Sequence, residues 1–129
     1  MILIDTSAWI EFFRGKGECA NSVDVLLSEN QVALCGPVLT EITRGFRSER
    51  DKQDIIPLLE ACRLLSQPEN LWQDAGSLGF LLGKQKKRVK TLDLLIASIA
   101  IFHRVPILTN DTDFKRIQEI APALALVSQ

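Results

Sequence analysis

Four acidic residues, Asp5, Glu41, Asp93 and Asp111, occupy positions where a carboxylate could take part in catalysis or metal binding. Asp5 directly follows the apolar run Ile2 to Ile4, and Asp111 stands just past a second apolar run at residues 105–108. Such runs are typical of buried strands in a parallel sheet, whose carboxyl ends meet at one edge. We therefore expect the two carboxylates to be neighbours, although either one alone could be an ordinary turn former or helix cap.

The other two acids, Glu41 and Asp93, belong to predicted helices. At about 100° per residue, Glu41 lies beside Ile42 on the apolar side of its helix, where an unpaired charge costs several kcal/mol. A salt bridge to Arg44 would be the ordinary explanation. Asp93 falls in the first turn of an apolar helix over 92–104, where the helix dipole favours a negative charge. That helix is expected to begin at the same sheet edge, so the four acids can converge.

Converging carboxylates need a counter-charge. At about 4 Å a pair repels by about 4 kcal/mol at a moderate dielectric, so the cluster must take up protons or a cation. Oxygen ligands without His or Cys suit Mg²⁺ or Mn²⁺. Such an ion activates a bound water and neutralises phosphoryl oxygens, as phosphodiester hydrolysis requires. The acids therefore favour nuclease chemistry, and the lone histidine, His103, is expected to be structural.

Length and composition predict one domain over residues 1–129 and argue against several other classes of protein. The hydrophobic fraction of 47% and charged fraction of 24% are those of a globular protein. The net charge of -1 gives no global positive field, so contact with nucleic acid would need local patches. Three cysteines without a CxxC pair indicate buried thiols. No apolar run reaches membrane-spanning length and no signal peptide is recognisable, which favours a cytoplasmic protein.

Alternating strands and helices predict an α/β fold with a central, mainly parallel sheet flanked by helices. Thr6 or Ser7 is expected to cap the first helix, and Thr91 the central one. Residues 51–65 and 69–84 carry apolar residues at helical spacing and are expected to form an antiparallel helical pair. The predicted strands span 2–4, 32–35, 105–108 and 125–127, and the remaining helices follow Thr6, cover about 21–29 and 36–47, and begin near Phe114.

The motifs around the acids resemble those of a known family. In this order, in so short a chain, they are similar to PIN-domain ribonucleases, and most closely to the VapC-type toxins of bacterial type II toxin-antitoxin pairs. The resemblance covers essentially the whole chain. The motifs are Asp5-Thr6-Ser7, Glu41-Ile42-Thr43-Arg44-Gly45, Asp93-Leu94-Leu95-Ile96-Ala97 and Thr109-Asn110-Asp111-Thr112-Asp113-Phe114.

The resemblance implies an endoribonuclease that uses Mg²⁺ or Mn²⁺. It leaves the fourth acid open, because members vary there and both Asp111 and Asp113 are available. Asp111 is preferred because it is nearer the strand end, and Asp113 then supports the site or caps the last helix. The implied catalytic and metal-binding residues are Asp5, Glu41, Asp93 and Asp111, with Thr6, Ser7 and Thr109 supporting carboxylates or water.

The resemblance also implies partners: single-stranded or looped RNA, a cognate protein antitoxin and a second copy in a homodimer. Trp9, Phe12 and Phe13 are candidate antitoxin contacts unless they are core residues. A basic run over 84–90 precedes Asp93 and could lead RNA into the acidic site, although it could equally be a solvated loop. The RNA-binding candidates are Lys86, Lys87 and Arg88 in that run, and Arg44 and Arg47 near Glu41.

Other functions fit less well. An aspartyl-phosphate phosphatase would need an acid two positions after Asp5, where Ser7 stands. A nucleotide-binding protein would carry a glycine-rich phosphate loop, and neither usual form occurs. Two alternatives stay open: a PIN-like module that binds RNA or protein without turnover, and an RNA-processing nuclease outside any toxin-antitoxin pair. Intact acids at all four places favour an enzyme, and genomic context would decide the biological role.

Overall fold

The computed structural model describes residues 1–128 and has a four-stranded parallel sheet at its centre, in the strand order β3-β2-β1-β4. The expected α/β fold is thus confirmed. The strands are β1 (Ile2–Ile4), β2 (Val32–Leu34), β3 (Arg63–Leu64) and β4 (Ile107–Leu108). The helices of the described chain are α1 (Thr6–Arg14), α2 (Ala20–Ser28), α3 (Gly36–Arg44), α4 (Glu49–Glu60), α5 (Leu71–Lys84), α6 (Thr91–His103) and α7 (Asp113–Ile120).

The central strand β1 sets the geometry of the sheet edge. It pairs in parallel with β4, with Ile4 opposite Leu108, and with β2 on its other side. The backbone N–H of Asp5 continues the ladder by donating to the carbonyl of Leu108 at 3.1 Å. Residues that follow β1 and β4 therefore emerge side by side at the carboxyl ends of the strands.

Helix α6 is buried on most of its surface, as its composition predicts. Its buried residues include Leu95, Ile96 and Ile99, and each such side chain contributes roughly 1.5–3 kcal/mol through burial. The helix packs most extensively against α5 and also contacts α3 and α7. This packing on three sides fixes where the first turn of α6 begins, and with it the position of Asp93.

Three predictions about the elements are wrong. Residues 51–65 and 69–84 are helical over most of their length, as predicted, but they are not an antiparallel pair, because α4 ends at Glu60, β3 joins the sheet beside β2, and α5 packs against α6. The helix predicted over 36–47 ends at Arg44. The predicted strand 125–127 makes only a bridge, between Leu126 and Ile107. None of the helices within residues 1–128 is long and apolar enough to cross a membrane.

The predicted helix caps are also corrected. Asp5 itself caps α1, since its carboxylate accepts the backbone N–H of Ala8 at 3.2 Å. Thr91 is the first residue of α6, and the capping position is taken by Lys90 without a side-chain hydrogen bond. Because Asp5 serves as the cap, the hydroxyls of Thr6 and Ser7 can bond to acidic side chains.

Candidate metal centre

The tightest group of acids consists of Asp93, Asp111 and Asp113. One carboxylate oxygen from each residue lies within 4.8 Å of those of the other two. Asp93 comes from the first turn of α6 and is only 7% exposed, whereas Asp111 and Asp113 are half-buried after β4 and at the start of α7. The central helix and the sheet edge thus bring together residues that are about twenty positions apart in sequence.

Asp5 is joined to this group through Thr109. The Thr109 hydroxyl donates to Asp5 Oδ2 at 2.9 Å, and Thr109 Oγ1 in turn accepts the backbone N–H of Asp111 at 2.9 Å. The other carboxylate oxygen of Asp5 accepts the hydroxyl of Ser7 at 2.8 Å. With 3% of its surface exposed, Asp5 is held by these hydrogen bonds in one orientation at the end of β1.

Glu41 lies outside the three-acid group but contacts the same region. Its Oε1 accepts the hydroxyl of Thr6 at 2.8 Å, and Thr6 is the chain neighbour of Asp5. The salt bridge to Arg44 that the sequence left open is not formed in the described part of the chain, where Arg44 is exposed. The half-buried Glu41 carboxylate is therefore held by a neutral donor and has no ion pair among the described residues.

Both residues considered for the fourth acid lie in the group, but their surroundings differ. The Asp113 carboxylate accepts from the guanidinium of Arg116 at 2.7 Å, which partly neutralises it. The Asp111 carboxylate accepts the backbone N–H of Asp113 at 2.9 Å and has no ion pair among the described residues. Asp111 is thus the less compensated of the two.

Burial and mutual repulsion raise the pKa values of the two buried acids. The pKa of Asp93 rises from 3.8 to about 7, first through burial and then through the charge of Asp111, while Lys90 opposes the rise. Burial also raises the pKa of Asp5 to about 6, against the lowering effect of the Ser7 and Thr109 hydroxyls. Both acids therefore sit where their negative charge is costly without a cation.

One buried carboxylate oxygen of the group has no hydrogen-bond partner among the described residues. Asp93 Oδ2 is buried and has no hydrogen-bond donor within the described chain. A buried oxygen of this kind costs free energy unless something compensates it. An all-oxygen set of carboxylates suits a hard divalent ion such as Mg²⁺ or Mn²⁺. The residues present therefore fit such an ion.

The RNA-binding candidates are not equivalent. Lys87 forms an ion pair with Glu119 of α7, which ties the basic run to that helix. Lys86 and Arg88 are exposed and form no ion pair among residues 1–128. Arg47 lines a cleft that also contains Glu41. The candidates thus belong to two separate segments, of which the first ends at Lys90, whose charge acts on Asp93, and the second lies beside Glu41.

Of the candidate antitoxin contacts, Trp9 is a core residue. It is fully buried and stacks on Phe13 with ring centroids 5.6 Å apart. Phe13 is partly exposed and lines a cleft of about 550 Å³ together with Ile10, Ile42 and Phe46. Only the outer part of this aromatic cluster can meet a partner directly.

Sequence reasoning missed Glu11 as a member of the surroundings of the site. Both of its carboxylate oxygens accept hydrogen bonds, one of them from the side-chain amide of Asn110 in the loop that carries Asp111. The available signal was its spacing, because Glu11 follows Ser7 by four residues and so shares its face of α1.

Fold and site together define a compact α/β domain with an acidic, oxygen-rich site at the carboxyl edge of a parallel sheet. The family model described as PIN domain matches residues 2–120. Ribonuclease VapC11 of Mycobacterium tuberculosis is 34% identical over 126 residues, with 93% of each chain covered. The chain therefore belongs to the PIN-domain family, in the group of the VapC ribonucleases.

Solved structures agree with this fold. The complex described as VapBC2 from Rickettsia felis bound to a DNA fragment from its promoter contains a chain with a TM-score of 0.77 at 24% identity, covering 100% of this chain and 99% of that one. DNA-bound VapBC from Salmonella typhimurium gives a TM-score of 0.77 at 17% identity, with 98% and 96% covered. At these identities the likeness is one of fold.

Proposed function

We propose that this protein is a Mg²⁺- or Mn²⁺-dependent endoribonuclease and the toxin of a toxin-antitoxin pair. The observation that carries the metal assignment is the buried, donorless Asp93 Oδ2 beside the carboxylates of Asp111 and Asp113. The ribonuclease assignment is supported by relatives that carry that name, and by the general dependence of PIN ribonucleases on divalent metals. The proposed active domain is the chain 1–129.

In this proposal Asp5, Asp93 and Asp111 hold the ion, and Glu41 completes the acidic rim through its contact with Thr6. When bound, the ion would activate a water for attack on the phosphodiester and neutralise charge on the phosphoryl oxygens. Hydrogen bonds from Ser7 and Thr109 orient the carboxylate of Asp5. Asp113 supports the site, with Arg116 reducing its charge.

RNA would approach along the two basic segments. The exposed Lys86 and Arg88 lie shortly before α6 in the chain, and Arg44 and Arg47 flank the end of α3 near Glu41. Lys87 contributes less, because Glu119 already neutralises it. Local positive charge of this kind is needed, since the net charge of -1 attracts no polyanion.

The proposed protein partners are a cognate antitoxin and a second copy of this chain. Names of the structural neighbours, which include VapBC complexes, support the antitoxin. The cleft lined by Ile10, Phe13, Ile42 and Phe46 also contains Glu41. An apolar segment of the antitoxin bound in this cleft would block access to the acids. A toxin of this kind would act on RNA in the cytoplasm.

Cleavage of RNA by purified, partner-free protein tests the enzyme assignment. We expect cleavage with Mg²⁺ or Mn²⁺, no cleavage with a chelator, and recovery when metal is returned. Asp5→Asn should reduce the rate by at least about a hundredfold, whereas the matched change Asp24→Asn on the exposed surface of α2 should leave it intact. Folded protein that shows equal activity in Asp5→Asn would refute the proposed site.

The toxin assignment needs its own test. Expression of the chain alone should stop growth of a bacterial host, and co-expression of the small protein encoded beside it should restore growth. Growth arrest that persists in Asp5→Asn would assign the toxicity to something other than cleavage. Harmless expression of an active enzyme would instead support a housekeeping RNA-processing role.

A further inference from the structure

The side chain of Glu11 on helix α1 links two other segments of the chain. Its Oε1 accepts the backbone N–H of Cys19 at 2.8 Å, in the segment that joins α1 to α2. Its Oε2 accepts the side-chain amide of Asn110 at 2.6 Å. No ion pair to Glu11 occurs among the described residues, so the carboxylate acts here as a fixed acceptor at both ends.

Asn110 is attached to α1 at two points. Its backbone N–H donates to the hydroxyl of Ser7 at 2.9 Å, and its side chain donates to Glu11. A carboxylate can only accept, so the amide nitrogen of Asn110 must face Glu11. Asn110 stands between Thr109, which bonds to Asp5, and Asp111. These two attachments therefore restrict the loop at the residue next to Asp111.

The backbone at Gly17 passes close to the side chain of Glu11. Gly17 has a φ of 112°, and a Cβ built there would lie 2.7 Å from Glu11 Oε1, well inside normal contact distance. Glycine at this position thus lets the chain close over the Glu11 side chain. The hydrogen bonds to Cys19 and Asn110 therefore hold the Glu11 carboxylate between the 15–19 segment and the loop that carries Asp111.

We infer that Glu11 is a positioning residue, which acts through Asn110 to hold Asp111 where it can bind the metal ion. The inference rests on the proposed function, since it assumes that Asp111 is a metal ligand. The alternative is that Glu11 only secures the 15–19 segment through Cys19. A variant of Asn110 distinguishes the two roles, because removing its side chain leaves the hydrogen bond between Glu11 and Cys19 intact.

Titration of purified, metal-free protein with Mn²⁺, followed by the electron paramagnetic resonance of the free ion, tests this assignment without requiring activity. We expect Glu11→Ala and Asn110→Ala each to weaken Mn²⁺ binding by about tenfold, as loss of outer hydrogen-bonding partners of metal ligands typically does. The double variant should be no weaker than the worse single variant, because both changes break the same link. Thermal unfolding shows that each variant is folded.

Two further variants serve as controls. Glu11→Gln should keep wild-type affinity within about twofold, because its amide can still accept from Cys19 and donate to Asn110 once the Asn110 amide turns over. Glu18→Ala removes a carboxylate that lines the same cleft as Asp111 and should leave affinity unchanged. A loss in Glu18→Ala equal to that in Glu11→Ala would assign the effect to net charge and overturn the inference.

The outcomes separate this inference from the proposed function. Wild-type affinity in folded Asn110→Ala overturns the positioning role, whatever Glu11→Ala does, and leaves the nuclease proposal intact. Wild-type protein that binds Mn²⁺ but does not cut RNA refutes the nuclease and not the positioning role. Absence of Mn²⁺ binding by the wild-type protein refutes both.

Discussion

Thr109 donates its hydroxyl hydrogen to Asp5 Oδ2 at 2.9 Å, so the residue after β4 is bonded to the residue after β1. The two strands are parallel neighbours, with Ile4 opposite Leu108, and this register places the two residues side by side. The Thr109 oxygen also accepts the N–H of Asp111 at 2.9 Å. One hydroxyl thus sets the separation of two proposed metal ligands.

Replacing Thr109 with valine should weaken Mn²⁺ binding by about tenfold, because the isosteric side chain fills the same space but can neither donate to Asp5 nor accept from Asp111. Thr109→Ser keeps the hydroxyl and should stay within about threefold of wild type. Calorimetric titration of both folded variants is the measurement. A serine variant as weak as the valine variant would show that the methyl group, and not the hydroxyl, is what the site needs.

The two candidates for the fourth acid should differ in a direct comparison. Asp111 raises the pKa of both Asp5 and Asp93, whereas Asp113 is paired with Arg116. We therefore expect Asp111→Asn to lower metal affinity and RNA cleavage more than Asp113→Asn, by about tenfold. Initial rates at several Mg²⁺ concentrations measure this difference. Equal losses of affinity and activity in the two variants would show that Asp111 and Asp113 contribute equally to the metal site.

The elements that form the sheet edge could be predicted from the sequence because each of them is defined by a short local pattern of apolar residues. Three-residue apolar runs in β1 and β2 and the nearly all-apolar α6 are buried regardless of what surrounds them, and their ends fixed Asp5 and Asp93. Strand β3 was missed because its two residues, Arg63 and Leu64, are both exposed and continue a helical pattern. A strand of two residues is too short to show the alternation of apolar and polar residues by which strands are predicted.

Side-chain partners could not be predicted in the same way. Glu41 has an arginine one turn along its helix, yet it bonds to Thr6, which is 35 residues away in sequence. Glu11 bonds to Asn110, which is 99 residues away. Such contacts depend on the angle between packed elements, which no local spacing encodes. Sequence therefore indicated candidate acids but not the hydrogen bonds that hold them.

Charges in the basic run should contribute unequally to RNA binding. Neutralising Lys86 and Arg88 together to glutamine should weaken binding and lower the magnitude of the slope of log affinity against log salt by about 1.4, or about 0.7 for each phosphate of a single strand that the protein no longer neutralises. Lys87→Gln should have a smaller effect, because Glu119 already neutralises this side chain. Fluorescence anisotropy at several salt concentrations, with catalysis blocked by Asp5→Asn, gives the slopes.

The exposed Arg50 on α4 provides the control for this experiment. It pairs with Asp54, at 3.9 Å, and lies outside both proposed basic segments. Arg50→Gln should leave the salt slope of RNA binding unchanged. An unchanged slope in the Lys86 and Arg88 double variant would remove the basic run from the RNA-binding surface and leave Arg44 and Arg47 as the candidates.

The stability of the metal-free protein should fall as the pH rises. The pKa of Asp93 is raised to about 7 in the fold, against 3.8 for an unperturbed carboxyl. Between these values the folded protein holds a proton that the unfolded chain has released, so the stabilisation is complete below about pH 4 and is lost as the pH passes about 7. Asp5, with a pKa of about 6, acts in the same direction.

Urea unfolding in a chelator at about pH 5 and about pH 8 measures this effect. We expect the free energy of unfolding to fall by on the order of 2 kcal/mol between these conditions through Asp93, and Asp93→Asn should remove that part of the fall. Asp24→Asn, which changes an exposed carboxyl, should keep the wild-type dependence. Mg²⁺ should stabilise the wild-type protein more at the higher pH, because there it replaces the lost proton. An equal fall in Asp93→Asn and in the wild type would show that Asp93 does not carry the proton, and that its buried oxygen is compensated in some other way.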